Sequence, residues 1–285
     1  MEQKIRLNED SVLDMTGQAP YISFPALSEL GFVKHGFSTR LGGKSTGIFA
    51  SMNLGFGRGD LDENVRENYD RFMNSIGIQT QNLVISDQVH ETVVRRAGIE
   101  DRGKGYCYPK DYKGVDGHIT NEPEVALLIY TADCVPLFFA DKKHHAVGIS
   151  HSGWRGTVSK MASVTVKRMN QEYQTDPQDL VVVIGPSIGP ECYEVSEDVA
   201  LQFQKAYTKE QIQQILKPCK EKGKYLLDLW SANRFALLEA GIKKQNIICS
   251  KLCTMCRQDL FFTHRGSGGK RGSLAGIIQI EELSY

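Results

Sequence analysis

The sequence predicts an α/β or α+β fold in one domain, and three observations carry that prediction. Apolar, strand-like runs alternate with amphipathic patterns of helical spacing, glycine-rich turns separate them, and no linker-like or low-complexity stretch divides the 285 residues. That length lies near the upper limit for one hydrophobic core, so a single domain spanning residues 1–285 is expected.

Gly31–Ser38 alternates faces as a strand and runs into the glycine-rich loop Thr39–Ser45. Asp62-Glu63-Asn64 is placed to cap a helix whose residues Val65, Tyr69, Phe72, Met73 and Ile76 recur at helical spacing, with Gly77 as its stop. A short strand near Leu83–Ser86 leads to Gln88-Val89-His90-Glu91, and the β-branched pair Val93-Val94 follows, so His90 lies between two extended segments. Val125–Thr131 reads as a buried strand, Ala132-Asp133-Cys134 as a tight corner and Val135–Ala140 as its continuation. Pro136 has no N–H for a central ladder, so a real break is expected at the corner. Ala146–Ser150 is the next strand, ending at His151–Thr157, and a long amphipathic helix is expected over Val158–Tyr173. Leu180–Ile184 is another buried strand, closed by the turn Gly185–Pro190. Helical patterns cover Ser196–Tyr207, Lys209–Leu216 and Leu229–Ala240, the last with Gly241 at its C′ position. Leu260–Phe262 leads through Thr263-His264-Arg265 into the loop Gly266–Gly272, and Leu274–Ile280 is the final strand.

Lys+Arg and Asp+Glu are equal at 34 each, so broad electrostatic capture of nucleic acid or anionic membrane is not expected, and any anionic ligand must be held locally. The N-terminal stretch MEQKIRLNEDSVLDM lacks the continuous apolar core of a signal peptide. The longest apolar runs, Val125–Tyr130 and Val135–Ala140, are too short to cross a bilayer, and a cytoplasmic location is expected. Seven cysteines are odd in number and too sparse for a disulfide scaffold, so most are expected to be reduced thiols. The close pair Cys253-Thr-Met-Cys256, with Cys249 upstream, finds no second pair among Cys107, Cys134, Cys192 and Cys219. It is read as structural or incidental.

His90, Cys134 and His151 each lie at a strand end or corner among small residues, where open sheets place ligands. One thiolate and two neutral imidazoles are three good zinc ligands, and they leave the fourth tetrahedral position for water or substrate, as catalysis requires. Spacing does not show that the three converge. Read singly, each histidine is a hydrogen-bonded structural residue and the cysteine is core. Glu91, beside His90, and Asp133, beside Cys134, are candidates to orient a ligand or move protons. A second constellation is cationic: Arg40 in its glycine-rich loop, Arg155 at a predicted helix start, and His264-Arg265 with Lys270 and Arg271. The GWRGT stretch is the best phosphate candidate, because a helix N-terminus adds free N–H groups and partial positive charge. The competing reading pairs these arginines with surface carboxylates. Asn53-Leu54-Gly55 and Asp116-Gly117-His118 are polar turns between apolar segments, and Asn53 and Asp116 join the candidate substrate-binding residues. His118 is a further possible metal ligand, whereas His144 and His145 read as the solvated tip of a charged hairpin.

Taken in order, HGFSTRLGGKSTG with SMNLG, then DQVHETVV, GVDGHIT, YTADCVPLFFAD, GISHSGWRGT, VVIGPSIG and FFTHRGSGGKRG resemble the YfiH/YlmD family over about Gly31 to Ile280. The family often carries Tyr-Arg-Arg after the late Phe-Phe, where this chain has Thr263-His264-Arg265. The resemblance implies an α/β sandwich with layers ordered α-β-β-α and mixed sheets, and a zinc site matching His90, Cys134 and His151. It also implies phosphorolysis of adenosine, inosine, guanosine and methylthioadenosine with inorganic phosphate, together with adenosine deamination, both expected in one pocket. In that setting Arg40, Arg155 and Arg265 would steady phosphate or ribose oxygens, and Asp133 or Glu91 would handle protons.

The family is also named for polyphenol oxidase or laccase activity, with Cu2+ as the alternative ion. A multicopper laccase builds a blue-copper site and a three-copper cluster from many imidazoles in His-x-His pairs, and this chain has seven histidines and no such pair. Two further classes stay open. Cys134 activated by His151 would make a metal-free hydrolase or deamidase, and a non-catalytic partner in cell-division or cell-envelope complexes would turn over no nucleoside.

Overall fold

The computed structural model describes residues 3–281. Two stacked sheets form its centre. The first places seven strands in the spatial order Lys4–Asn8, Ser11–Asp14, Tyr21–Ser23, Val33–Ser38, Leu274–Ile280, Ala126–Thr131 and Leu83–Ile85. The second orders six as Ile247–Cys249, Leu180–Ile184, Val135–Asp141, Ala146–Ser152, Gly117–Thr120 and Val94–Arg96. Both are mixed, since Leu83–Ile85 runs parallel to its neighbour in the first sheet, as do Ile247–Cys249 and Val94–Arg96 in the second. A small outlying sheet joins Glu194–Ser196, Lys224–Leu227 and Leu216–Pro218.

Successive strand residues face opposite sides, and here both sides are apolar. Leu127, Ile129 and Ile278 of the first sheet meet Phe138, Ala140, Val147 and Ile149 of the second in the core between the sheets. Their neighbours Ala126, Leu128 and Ile277 turn outward, under Val65, Tyr69, Phe72 and Met73 of the helix Asp62–Ile76. On the far side, Leu137 and Phe139 pack with Met161, Ala162, Val166 and Met169 of the helix Met161–Tyr173 and with Ala232, Ala236 and Leu237 of Leu229–Glu239. The layers are therefore α-β-β-α, as expected. Double burial explains why these strands read as unbroken apolar runs. Between the sheets, a Cβ on Gly276 would meet Phe138 Cζ at 3.0 Å and Ile149 Cδ1 at 3.2 Å, which favours a residue without a side chain there.

Several local expectations need correction. The long helix over Val158–Tyr173 is two helices, Trp154–Val158 and Met161–Tyr173, broken where Lys160 adopts φ 60°. Asp62 and Glu63 lie inside the first turn, where they complement the helix dipole, while Leu61 holds the cap position without a capping side chain. The corner Ala132-Asp133-Cys134 is a break, with Asp133 at φ 85°, and it carries the chain from the first sheet to the second. Pro136 lies within the strand beyond it, past the end of the ladder with Leu180–Ile184, which reaches only to Leu137. The strands Lys4–Asn8, Ser11–Asp14 and Tyr21–Ser23 were not legible in the pattern, being short and, in the first, mostly exposed.

Two buried histidines are expected to make the fold sensitive to acid. His35 Nε2 accepts the Phe24 N–H at 2.9 Å, and burial pulls its pKa down to about 4. His118 finds no side-chain hydrogen bond among the described residues; burial, then the Arg95 charge, pull it down to about 3. Below the ordinary value of 6.5 the unfolded chain takes up protons that the folded chain refuses, so stability falls as pH drops from about 6.5 towards 4. His35 alone contributes a loss on the order of 3 kcal/mol across that window. Urea unfolding is expected to show a lower midpoint at pH 5 than at pH 7.5. His118→Phe, which keeps a ring without a titrating nitrogen, is expected to lose part of that difference, and equal midpoints in the wild type would contradict the account.

Candidate metal centre

The centre is built on Asp116, a fully buried residue entering the strand Gly117–Thr120. Its carboxylate accepts backbone N–H bonds from Val89 at 3.0 Å, His90 at 3.1 Å and Glu91 at 3.0 Å, and a bond from His151 Nδ1 at 2.9 Å. Burial pushes this carboxyl up, but the His151 and backbone bonds outweigh it and hold the pKa below the usual range. One side chain thus folds the loop bearing His90, which sits at φ 66°, and fixes the His151 ring. The two imidazole centroids are 4.9 Å apart at 77°.

Cys134 completes the group from the corner between the sheets. Asp133 shapes that corner: one carboxylate oxygen accepts from Thr254 Oγ1 at 2.6 Å, the other from the Arg265 N–H at 2.7 Å, and its carbonyl accepts from the Ile188 N–H at 2.9 Å. Donor atoms of His90, Cys134 and His151 all lie within 4.8 Å of one another. Since Asp116 holds His151 Nδ1, the other ring nitrogen is left for a cation. A Cβ at Gly153 would come 3.0 Å from Cys134 Sγ and 3.1 Å from His90 Cδ2, so glycine keeps this space clear. The residues fit a metal ion: soft sulfur, two imidazoles and one solvent-facing side, His90 being exposed and His151 buried. Burial raises the Cys134 thiol, but the two imidazoles draw it down to about 6. Burial lowers His151, but the Cys134 sulfur and Asp116 push it up to about 9.

Cys134, His90 and His151 line a pocket of about 270 Å³ whose wall also carries Arg58, Lys110 and Arg271. Lys110 is paired with Asp87 at 2.7 Å. Neither Arg58 nor Arg271 has a carboxylate within 4.0 Å among the described residues. The Arg271 guanidinium donates to the Gly272 carbonyl and Ser273 Oγ, its Nε has no partner among the described residues, and burial with the nearby Arg58 charge holds its pKa down to about 10. Arg58 carries no signal in sequence beyond its glycine-rich setting.

The other sequence candidates scatter. Arg155 and Glu91 line an adjoining cleft that also reaches His90. Arg40 is occupied by the Ala50 and Gln258 carbonyls and lies over the Phe262 ring. Arg265 reaches the Glu194 carbonyl and lies over Tyr193. His264 is exposed on the loop after Phe262. The Asn53 amide donates to Asp60 and the Gly55 carbonyl and accepts from the Gly55 and Ser273 N–H groups, so its hydrogen-bonding capacity is engaged within the protein. The Asp116 carboxylate is likewise engaged, by the Val89, His90 and Glu91 N–H groups and His151. His118 is buried apart from the centre, His144 bonds Asp141, and His145 stacks on Phe32. A multinuclear imidazole cluster is absent among the described residues, where one potential metal group contains histidine.

A four-layer α-β-β-α sandwich with a His–Cys–His centre at its seam defines the class of protein. A family described as multi-copper polyphenol oxidoreductase laccase matches residues 34–281. The chain is 36% identical over 253 residues to the purine nucleoside phosphorylase YlmD of Bacillus subtilis, covering 87% of this chain and 88% of that one. It is 36% identical over 272 residues to a purine nucleoside phosphorylase of Bacteroides thetaiotaomicron, covering 95% and 100%. The crystal structure of YlmD from Geobacillus stearothermophilus superposes with a TM-score of 0.83 at 31% identity, covering 99% of this chain and all of that one. The hypothetical protein YfiH of Bacillus licheniformis gives 0.86 at 30% with the same coverage. The chain belongs to this YfiH/YlmD, laccase-domain family.

If Asp116 orients the centre, Asp116→Asn places an N–H₂ donor against groups that are all donors. Zinc affinity, measured by competition with a chromophoric chelator, is expected to fall roughly 10–100-fold. Unchanged affinity would show that the carboxylate does not position the ligands.

Proposed function

We propose that the chain is a zinc-dependent purine nucleoside phosphorylase, converting adenosine, inosine, guanosine and methylthioadenosine with inorganic phosphate into base and ribose 1-phosphate, and that it also deaminates adenosine. The names of its relatives support the reaction class. The observation that carries the reading is one pocket holding both the His90–Cys134–His151 group and the two unpaired guanidiniums of Arg58 and Arg271. Two neighbouring cations, one largely buried, repel each other, and a phosphate dianion between them removes that cost.

In phosphorolysis, a phosphate oxygen bonds to ribose C1′ while the C1′–N9 bond breaks, and its electron pair leaves with the purine. Arg58 and Arg271 would hold and orient the phosphate, and their charge opposes that of the attacking anion throughout. Glu91, open in the cleft beside His90, is placed to supply a proton to the departing base. Asp133 has both oxygens engaged, so the proton role falls to Glu91. A zinc ion held by the three donors would supply Lewis-acid activation of water for attack at purine C6. A cytosolic location is part of the proposal, since nucleosides and phosphate are metabolites of that compartment. No helix among the described residues is long and apolar enough to cross a membrane.

A second reading has one observation in its favour. Cys134 drawn down to about 6 beside His151 pushed up to about 9 is a thiolate–imidazolium pair at neutral pH, the resting state of a metal-free cysteine hydrolase. Chelation separates the two.

Purified protein is expected to yield base and ribose 1-phosphate from adenosine only with phosphate present, inosine without it, and neither after thorough chelation. Arg271→Ala is expected to raise the KM for phosphate roughly 10–100-fold, the value of a charge-assisted contact, while deamination is retained. Base release independent of phosphate, or an unchanged KM, would remove the phosphate assignment. Full activity after chelation would favour the dyad.

A further inference from the structure

We propose that Cys192, Cys253 and Cys256 form a second metal site, a three-thiolate pocket for a thiophilic d10 cation, zinc(II) or copper(I), separate from the His90–Cys134–His151 centre. Their sulfurs lie within 4.8 Å of one another, with Cys192 and Cys256 Sγ 3.3 Å apart. Thiolates about 2.3 Å from one cation sit roughly 4 Å from each other, so little movement separates this arrangement from a ligand set. An all-sulfur donor group selects soft cations.

Backbone geometry brings the three together. A parallel bridge joins Ser187 to Cys253, with the Ser187 N–H bonded to the Leu252 carbonyl at 3.1 Å and the Thr254 N–H to the Ser187 carbonyl at 3.0 Å. This sets the turn bearing Cys192 against the turn Cys253-Thr-Met-Cys256. The Gly189 N–H donates to Cys253 Sγ at 3.1 Å and the Cys256 N–H at 3.4 Å. Two N–H donors on one sulfur suit a thiolate, and the second cysteine of a C-x-x-C turn reaching back to the first is how such a turn presents both sulfurs to one ion. A Cβ at Gly189 would come 3.2 Å from Cys253 Sγ, so glycine permits the approach. None of the three is in a disulfide, and Cys256 is exposed, leaving a side open to an ion from solvent. Counting pairs along the sequence missed this site because its third sulfur is 61 residues before Cys253 and becomes a neighbour only through the Ser187 bridge. The site also abuts the first centre: Thr254, between its two turn cysteines, and Ile188 both bond Asp133, so an ion here would brace the corner that presents Cys134.

The test uses reduced, metal-free full-length protein titrated anaerobically, in one arm with zinc alone and in another with copper(I) alone, against a chromophoric chelator. Wild type is expected to bind two equivalents of the preferred ion, and Cys192→Ser and Cys256→Ser one each. His151→Ala, which removes the first centre, is expected to retain one equivalent that disappears in His151→Ala/Cys256→Ser, and whichever ion gives that pattern is the ligand. In the His151→Ala background the bound ion is expected to protect the three thiols from alkylation by at least 10-fold. Equal stoichiometry in wild type and Cys256→Ser for both ions, or alkylation unaffected by either ion, would overturn the site irrespective of the first centre. Cys256 is exposed, so its substitution by serine leaves the packed interior untouched.

Discussion

The buried Asp116 carboxylate is the constraint on which the centre depends. Burying a charge is costly unless donors surround it, and here four converge: the N–H groups of Val89, His90 and Glu91, and His151 Nδ1. The same four bonds tie a loop in left-handed backbone to a strand end in the second sheet. The strain at His90 is held by that carboxylate rather than by local sequence. The loop links Leu83–Ile85 in the first sheet to Val94–Arg96 in the second, and the Cys134 corner links Ala126–Thr131 to Val135–Asp141 across the same gap. Of the three candidate ligands, His90 and Cys134 lie on these two crossings and His151 near the end of the strand Ala146–Ser152.

Around this seam the cations differ in their partners. Lys110 is neutralised by Asp87, while Arg58 and Arg271 line the pocket with no carboxylate within 4.0 Å among the described residues. Asp133 and Asn53 show the opposite pattern, with every oxygen or amide group spent inside the protein, and their work is to shape the corner and the loop. The laccase label of the family finds little support in these donors, because the remaining histidines are dispersed through the sheets and the hairpin tip.

Asp133 also connects the two sulfur-bearing regions. Its side chain meets Thr254 and the Arg265 backbone, and its carbonyl meets Ile188, so the cysteine-rich turns and the Cys134 corner share one set of bonds.

Legibility followed the range of the interactions. The helix Asp62–Ile76 with its Gly77 stop, and the strands with apolar residues on both faces, announce themselves because periodicity and turn chemistry act within a few residues. His90, Cys134 and His151 were recognisable as metal-type donors at strand ends. Asp116 resembled any polar turn residue, Arg58 was one arginine between two glycines, and Cys192 was a thiol without a neighbour, since each acquires its meaning from a partner far along the chain. Residue chemistry and local conformation can be read from the linear order because they depend on near neighbours. Which donors converge, which carboxylate is consumed as scaffold and which cations lie without a carboxylate among the described residues were settled by how two sheets stack and where the backbone passes between them, a matter of long-range packing that no local pattern encodes.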